Sequence, residues 1–145
     1  MRNSFFLVFV LILVPETCVK ARPKNEFQVN VVNGISDNIL IRCQSKDNDL
    51  GFHTLHVGDD FSWHFQTKLI GGTLFFCHFW WNSKDKSFNV FDETQWEDKC
   101  QYHEGSGPFR KCFWLVKPDG FYFSNYNAPF PTGWQKLIVL NFLKN

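Results

Sequence analysis

The chain is poor in the residues that build helices. Its single methionine is Met1, and its alanines are Ala21 and Ala128; a sequence so short of Ala and Met is a weak candidate for helical structure. Beyond the first twenty residues, no stretch is long and apolar enough to cross a bilayer. His-Glu-x-x-His, Gly-x-Ser-x-Gly and a phosphate-binding glycine loop are all missing, so hydrolase and nucleotide chemistry have no starting point. Close cysteine pairs of the Cys-x-x-Cys type are missing too, which argues against a zinc site. With no Asn-x-Ser/Thr sequon, no N-linked glycan is expected to mask the surface.

What the N-terminus does have is a secretory pattern. Met1-Arg2-Asn3 supplies one positive charge, Phe5 to Val14 form an unbroken apolar run, and Pro15 ends it. The run is too short for a membrane span and suits a signal peptide, residues 1–21, with Val19-Lys20-Ala21 placing small residues for cleavage after Ala21. The whole chain has 15 basic and 14 acidic residues; losing Arg2, Lys20 and Glu16 with the signal balances them. A neutral mature chain has no electrostatic footprint for nucleic acid or an anionic membrane. Residues 22–145 fit one extracellular domain of ordinary size, monomeric, with no membrane insertion after cleavage.

The abundant residues are aromatic: 18 Phe and 6 Trp favour strands. Phe27, Val29 and Val31 alternate with polar neighbours, as do Ile39, Ile41 and Cys43, with Asn33-Gly34 supplying a turn between them. Lys46 to Gly51 reads as a polar loop. Phe61, Trp63 and Phe65 alternate again. Thr73 to Trp81 is the strongest strand, with Leu74, Phe76 and Trp80 on one side and Phe75, Cys77, Phe79 and Trp81 on the other, so both faces need cover or one leaves an apolar patch. Asn82 to Lys86 reads as a polar turn into Phe88–Phe91. Cys112, Trp114 and Val116 alternate before Lys117-Pro118-Asp119-Gly120, a hairpin turn into Phe121–Phe123. Short strands at regular spacing predict an all-β fold, an antiparallel β-sandwich of seven or eight strands.

Few residues invite chemistry. His53 and His56 are three apart, but Gly51 and Gly58 argue against the helix that would bring them together as metal ligands. His64 is expected to point away from the aromatic face of its strand, and His78 to join Leu74 and Phe76. Asp47, Asp49, Asp59 and Asp60 suggest a calcium site, yet the EF-hand spacing and its distal Glu are missing, which favours solvated turns. No catalytic residues, metal ligands or cofactor are expected.

The ordered set Leu40-Ile41-Arg42-Cys43-Gln44-Ser45-Lys46-Asp47-Asn48-Asp49-Leu50-Gly51, Gly72-Thr73-Leu74-Phe75-Phe76-Cys77, Cys100, Cys112-Phe113-Trp114 and Asp119-Gly120-Phe121-Tyr122 resembles the plant self-incompatibility protein S1 family, the S-protein homologues. The resemblance spans nearly the whole mature chain; Pro129 to Trp134 and Leu137 to Phe142 follow it less clearly. It implies a secreted β-sandwich with two disulfides, acting as a non-enzymatic ligand that engages a cell-surface receptor protein, as in pollen rejection.

Four cysteines remain after the signal, and an exported protein oxidises them. They allow three connectivities, and sequence alone does not select one. If Cys43 and Cys112 both face inward, they can bridge the two sheets, leaving Cys77 to pair with Cys100. The alternative function is a secreted carbohydrate-binding or defence module, which would need Trp80, Trp81 and Tyr122 as an exposed platform rather than core. A small hydrolase is a third. For recognition, the polar segments Asp92 to Lys111 and Asp47 to Asp49 are candidate loops, with no single residue standing out.

Overall fold

The chain's aromatic strands pack as two sheets in the computed structural model, which describes residues 26–68, 70, 72–96, 99–103 and 107–140. The expected signal peptide, residues 1–21, and its cleavage site lie outside these residues. The elements are β1 (Glu26–Asn33), β2 (Ile39–Gln44), β3 (Asp49–Leu55), β4 (Asp60–Gln66), β5 (Leu74–Trp81), β6 (Lys84–Asp92), a one-turn α1 (Glu93–Trp96), β7 (Arg110–Lys117), β8 (Gly120–Ser124) and β9 (Gln135–Val139). One sheet has the order β4-β1-β7-β8-β9 and the other β3-β2-β5-β6. Every pairing is antiparallel except β1 with β7. Those two are separated by the excursion through the second sheet, and only such a long crossover lets strands run parallel.

Alternation places the core as predicted for most strands. Phe27, Val29, Val31, Ile39, Ile41, Phe79, Trp114, Val116 and Phe121 are fully buried between the sheets. Their rings interlock: Phe27 meets Phe91 at 4.9 Å, Phe79 meets Phe121 at 4.8 Å, and Phe88 meets Trp114 edge-on at 4.9 Å.

Among the described residues nine strands form where seven or eight were expected, because β3 and β9 escape the alternation rule. In β3 the inward position falls to His53 and the outward one to Phe52, so the hydrophobic pattern runs backwards. In β9 the register shifts between Phe121 and Tyr122, which pair with Ile138 and Lys136 and leave Leu137 between them. The loop read over Lys46 to Gly51 is shorter, since β3 begins at Asp49, and the turn read over Asn82 to Lys86 closes at Asn82-Ser83. Asn82 takes the left-handed φ of 52° that a two-residue hairpin demands.

The expected disulfide pairing is overturned. Cys43 bonds Cys77, and Cys100 bonds Cys112. All four are fully buried, so the inward orientation expected for Cys43 and Cys112 holds. What alternation does not carry is the strand order: Cys43 and Cys77 occupy one rung of the neighbouring strands β2 and β5, which brings their Cα atoms within 4.1 Å, whereas Cys112 lies on β7 of the opposite sheet and takes Cys100, 12 residues before it, as its partner.

One end of the sandwich is sealed by Asn33, which is 1% exposed. Its side-chain amide donates to the carbonyls of Asp37 (2.8 Å) and Leu55 (2.9 Å), and its Oδ1 accepts from the Ile35 N–H (3.0 Å). Its backbone joins the Gly58-Asp59 turn through Gly58 N–H and Asp59 C=O, both at 2.9 Å. At the opposite end lie the β2–β3 turn, the β4–β5 connection, α1 and the Cys100–Cys112 bond.

Candidate recognition surface

Sheet pairing assembles on the outer face of β3-β2-β5-β6 a group of side chains that no linear pattern links. Arg42 lies opposite Phe52 on one side and opposite His78 on the other, and Leu40 lies opposite both Thr54 and Trp80. The result is an aromatic patch: Phe52 is 57% exposed, its ring 5.9 Å from that of half-buried Trp80, which stacks on His78 at 3.7 Å and 12°. Leu40 and Leu74 extend it with exposures of 37% and 39%.

Charge is distributed around the rings as matched pairs. The Arg42 guanidinium sits 5.0 Å from the Phe52 ring centre, and its Nε and Nη2 donate to the Asp49 carboxylate at 3.3 and 2.5 Å. The Arg42 hydrogen bond, with a further one from the Gly51 N–H, holds the Asp49 carboxyl below its ordinary pKa; the same Asp49 bond raises that of Arg42. On the far side, His78 Nε2 lies 2.8 Å from the Asp85 carboxylate of β6. These pairs orient the rings from both flanks.

The residues singled out from sequence do not converge on a chemical centre. His53 points inward, stacks on Phe61 at 4.2 Å and lies 2.7 Å from the Leu50 carbonyl, while His56 Nδ1 lies 3.0 Å from Asn38 Oδ1. His64 faces outward on β4, 4.9 Å from the Phe109 ring, as its strand position predicted. Asp47 lies in the β2–β3 turn, bound to Lys68, and Asp49 opens β3, whereas Asp59 and Asp60 lie where β3 passes to β4, with Asp59 accepting the His56 N–H at 2.9 Å. Among the described residues, no three His, Cys, Asp or Glu side chains group as metal ligands.

Of the three aromatics weighed as a platform, Trp81 is buried in the core at 5% exposure. Tyr122 belongs to the other sheet, where Phe130 meets it edge-on at 5.0 Å and the Lys136 ammonium lies 5.7 Å from its ring centre. Trp80 alone joins the patch, with Phe52, which alternation does not find because the start of β3 falls in the polar loop expected over Lys46 to Gly51 and the rest has no period-two apolar pattern. The signal for Phe52 is its place opposite Arg42, with Thr54 opposite Leu40, which becomes visible only once strand pairing is known.

Within the segment from Asp92 to Lys111, Asp92 Oδ1 accepts from the Thr94 N–H and hydroxyl at 3.0 and 2.7 Å, at the start of α1. Glu93 accepts the Thr73 N–H at 2.8 Å. Gln101 pairs with Lys111 beside the Cys100–Cys112 bond. These contacts tie much of the segment to the scaffold.

The family model of plant self-incompatibility protein S1 matches residues 28–135, from β1 to the first residue of β9 and including all four disulfide cysteines. S-protein homolog 74 of Arabidopsis thaliana is 34% identical over 131 residues, covering 82% of this chain and 83% of its own. S-protein homolog 29 of the same plant is 34% identical over 137 residues, covering 90% and 95%. S-protein homolog 5, also from Arabidopsis thaliana, is 37% identical over 82 residues, 57% of each chain.

Proposed function

Because the chain belongs to the plant self-incompatibility protein S1 family, we propose that it is a secreted, non-enzymatic protein ligand recognised by a receptor at a cell surface, in pollen rejection or related cell–cell signalling. The observation that carries this reading is the patch of Phe52, Trp80, His78 and Arg42 on a sheet whose inner side is locked by the Cys43–Cys77 bond. Aromatic and arginine side chains held rigidly at a surface are the composition of protein-binding hot spots. Two disulfides suit an oxidising, extracellular compartment. His53, His56, Asp47, Asp49 and Asp59 are bound to structural partners, which supports a role in holding turns rather than in catalysis.

The exposed Phe52 ring also favours a second reading, carbohydrate binding, since sugars stack on open rings. Binding of the labelled, oxidised mature domain to plasma membranes separates the two. Receptor recognition predicts saturable binding destroyed by protease treatment of the membranes and reduced at least about tenfold by Phe52→Ser with Trp80→Ala. Binding that survives protease and is competed by cell-wall oligosaccharides selects the carbohydrate reading. No saturable binding, or none lost in the double variant, overturns the assignment of this patch.

A further inference from the structure

While Asn33 seals one end of the sandwich, the described residues leave a cleft at the other. Between the β2–β3 turn, the end of β4 and the start of β5 lies a cleft of about 450 Å³. Phe65 and Phe75, whose rings are 4.6 Å apart, supply its apolar wall from the core, with Leu74 and Phe76 from the outer side of β5, while Ser45, Asn48, Gln66 and Thr73 add polar groups. Phe65 also meets Phe91 edge-on at 4.8 Å and stacks with Phe27 at 6.0 Å, so the floor is the end of the packed aromatic core rather than a loose surface. Beside it the Lys68 N–H donates to Thr73 Oγ1 at 2.9 Å, and the Thr73 N–H donates to Glu93.

The ionised side chains lining this cleft are both cations, Lys46 and Lys68. Lys68 is bound to Asp47, which sits outside the lining. A concave, largely apolar site with a few placed polar groups is the general form of a small-molecule site. Asp47 offsets part of the Lys68 charge, so discrimination between head groups falls chiefly to Lys46, with Lys68 as a second donor. We propose that the cleft binds a single-chain amphipathic anion, its apolar body against Phe65, Phe75 and Leu74 and its carboxylate or equivalent head at Lys46 and Lys68. Burial of the chain supplies affinity in proportion to apolar area removed from water, and the lysines supply discrimination against neutral heads.

Calorimetric titration of the oxidised mature domain with dodecanoate, kept below its micelle concentration, tests this. One equivalent binds, and dodecanol, with the same chain and a neutral head, binds at least about tenfold more weakly. Lys46→Gln with Lys68→Gln removes that preference while leaving dodecanol binding unchanged. Leu74→Glu, at a position already 39% exposed and therefore safe for folding, weakens dodecanoate at least about tenfold by placing a like charge in the wall. Sedimentation with phosphatidylcholine vesicles, with and without phosphatidylserine, distinguishes a membrane lipid from a free ligand: the free-ligand site predicts no co-sedimentation. Absence of one-to-one dodecanoate binding, equal affinity for dodecanol, insensitivity to both variants, or vesicle binding without monomer binding each overturns the proposal.

Discussion

Trp114 of β7 donates its indole N–H to the backbone carbonyl of Val90 on β6, 2.9 Å away, and so joins the two sheets by a hydrogen bond through the middle of the apolar core. Val90 is the extra residue where β6 bulges against β5, between the Phe75–Phe91 and Phe76–Asn89 pairs. The fully buried indole therefore fills space and serves a carbonyl at an irregular point of the ladder.

Replacing Trp114 with Phe keeps an aromatic ring but loses this bond and part of the volume. The expected cost is roughly 2–4 kcal/mol, combining an unsatisfied buried carbonyl with a residual cavity. Chemical denaturation measures it; a loss under about 1 kcal/mol would mean that water or a backbone shift repairs the site.

The disulfides should differ in worth. The Cys43–Cys77 bond closes a separation of 34 residues and Cys100–Cys112 one of 12. If chain entropy dominates, removing the first by double alanine substitution destabilises more than removing the second, by about 1 kcal/mol, each loss falling in the range of roughly 2–5 kcal/mol. Peptide mapping without reduction should recover those two pairs; a Cys43–Cys112 peptide would overturn both.

That strand order marks where the sequence stopped being legible. Alternation found the inward cysteines, the core of β1, β2, β4, β5, β7 and β8, and the outward places of His64 and His78, because each strand carries its own period-two pattern. It could not say which strand lies beside which, since pairing depends on long-range contacts such as the parallel β1–β7 ladder. The disulfide pairing and the Phe52–Arg42–His78 row both depend on pairing. β3 was hidden for a local reason: Phe52 faces out and His53 faces in.

Acid should weaken the fold through exposed carboxylates. Asp119 has its pKa lowered, first by the Lys136 hydrogen bond at 2.7 Å and then by the Tyr122 hydroxyl at 2.8 Å; Asp49 is lowered by Arg42 and Asp47 by Lys68. A folded pKa below the unfolded value means stability is fully present above about pH 4 and lost as pH falls through the folded pKa. Asp119→Asn should flatten that acid limb in urea midpoints taken from about pH 5 to about pH 2. Added salt should shrink the difference, as these side chains are exposed. On the alkaline side, the Asp119 hydrogen bond raises the Tyr122 pKa, so its contribution is lost only as pH climbs through that raised value.

Asn33 offers the sharpest separation of shape from hydrogen bonding. Its side chain is nearly inaccessible, and three backbone groups from three places in the chain converge on it: the Ile35 N–H, the Asp37 carbonyl and the Leu55 carbonyl. Asn33→Ala removes both donor and acceptor and should cost about 3 kcal/mol, since the Leu55 carbonyl is left buried without a partner. Asn33→Asp retains the acceptor for Ile35 but turns both carbonyl contacts into repulsions and buries a carboxyl, so at neutral pH it should be at least as destabilising as alanine. Lowering the pH toward about 4 should return part of the loss in the Asp variant and none in the Ala variant, because only a protonated carboxyl regains a donor. Denaturation midpoints of both variants at the two pH values measure this. If Asp and Ala responded alike, the end of the sandwich would be held by packing of Ile35 and Leu55, and the amide network would be incidental.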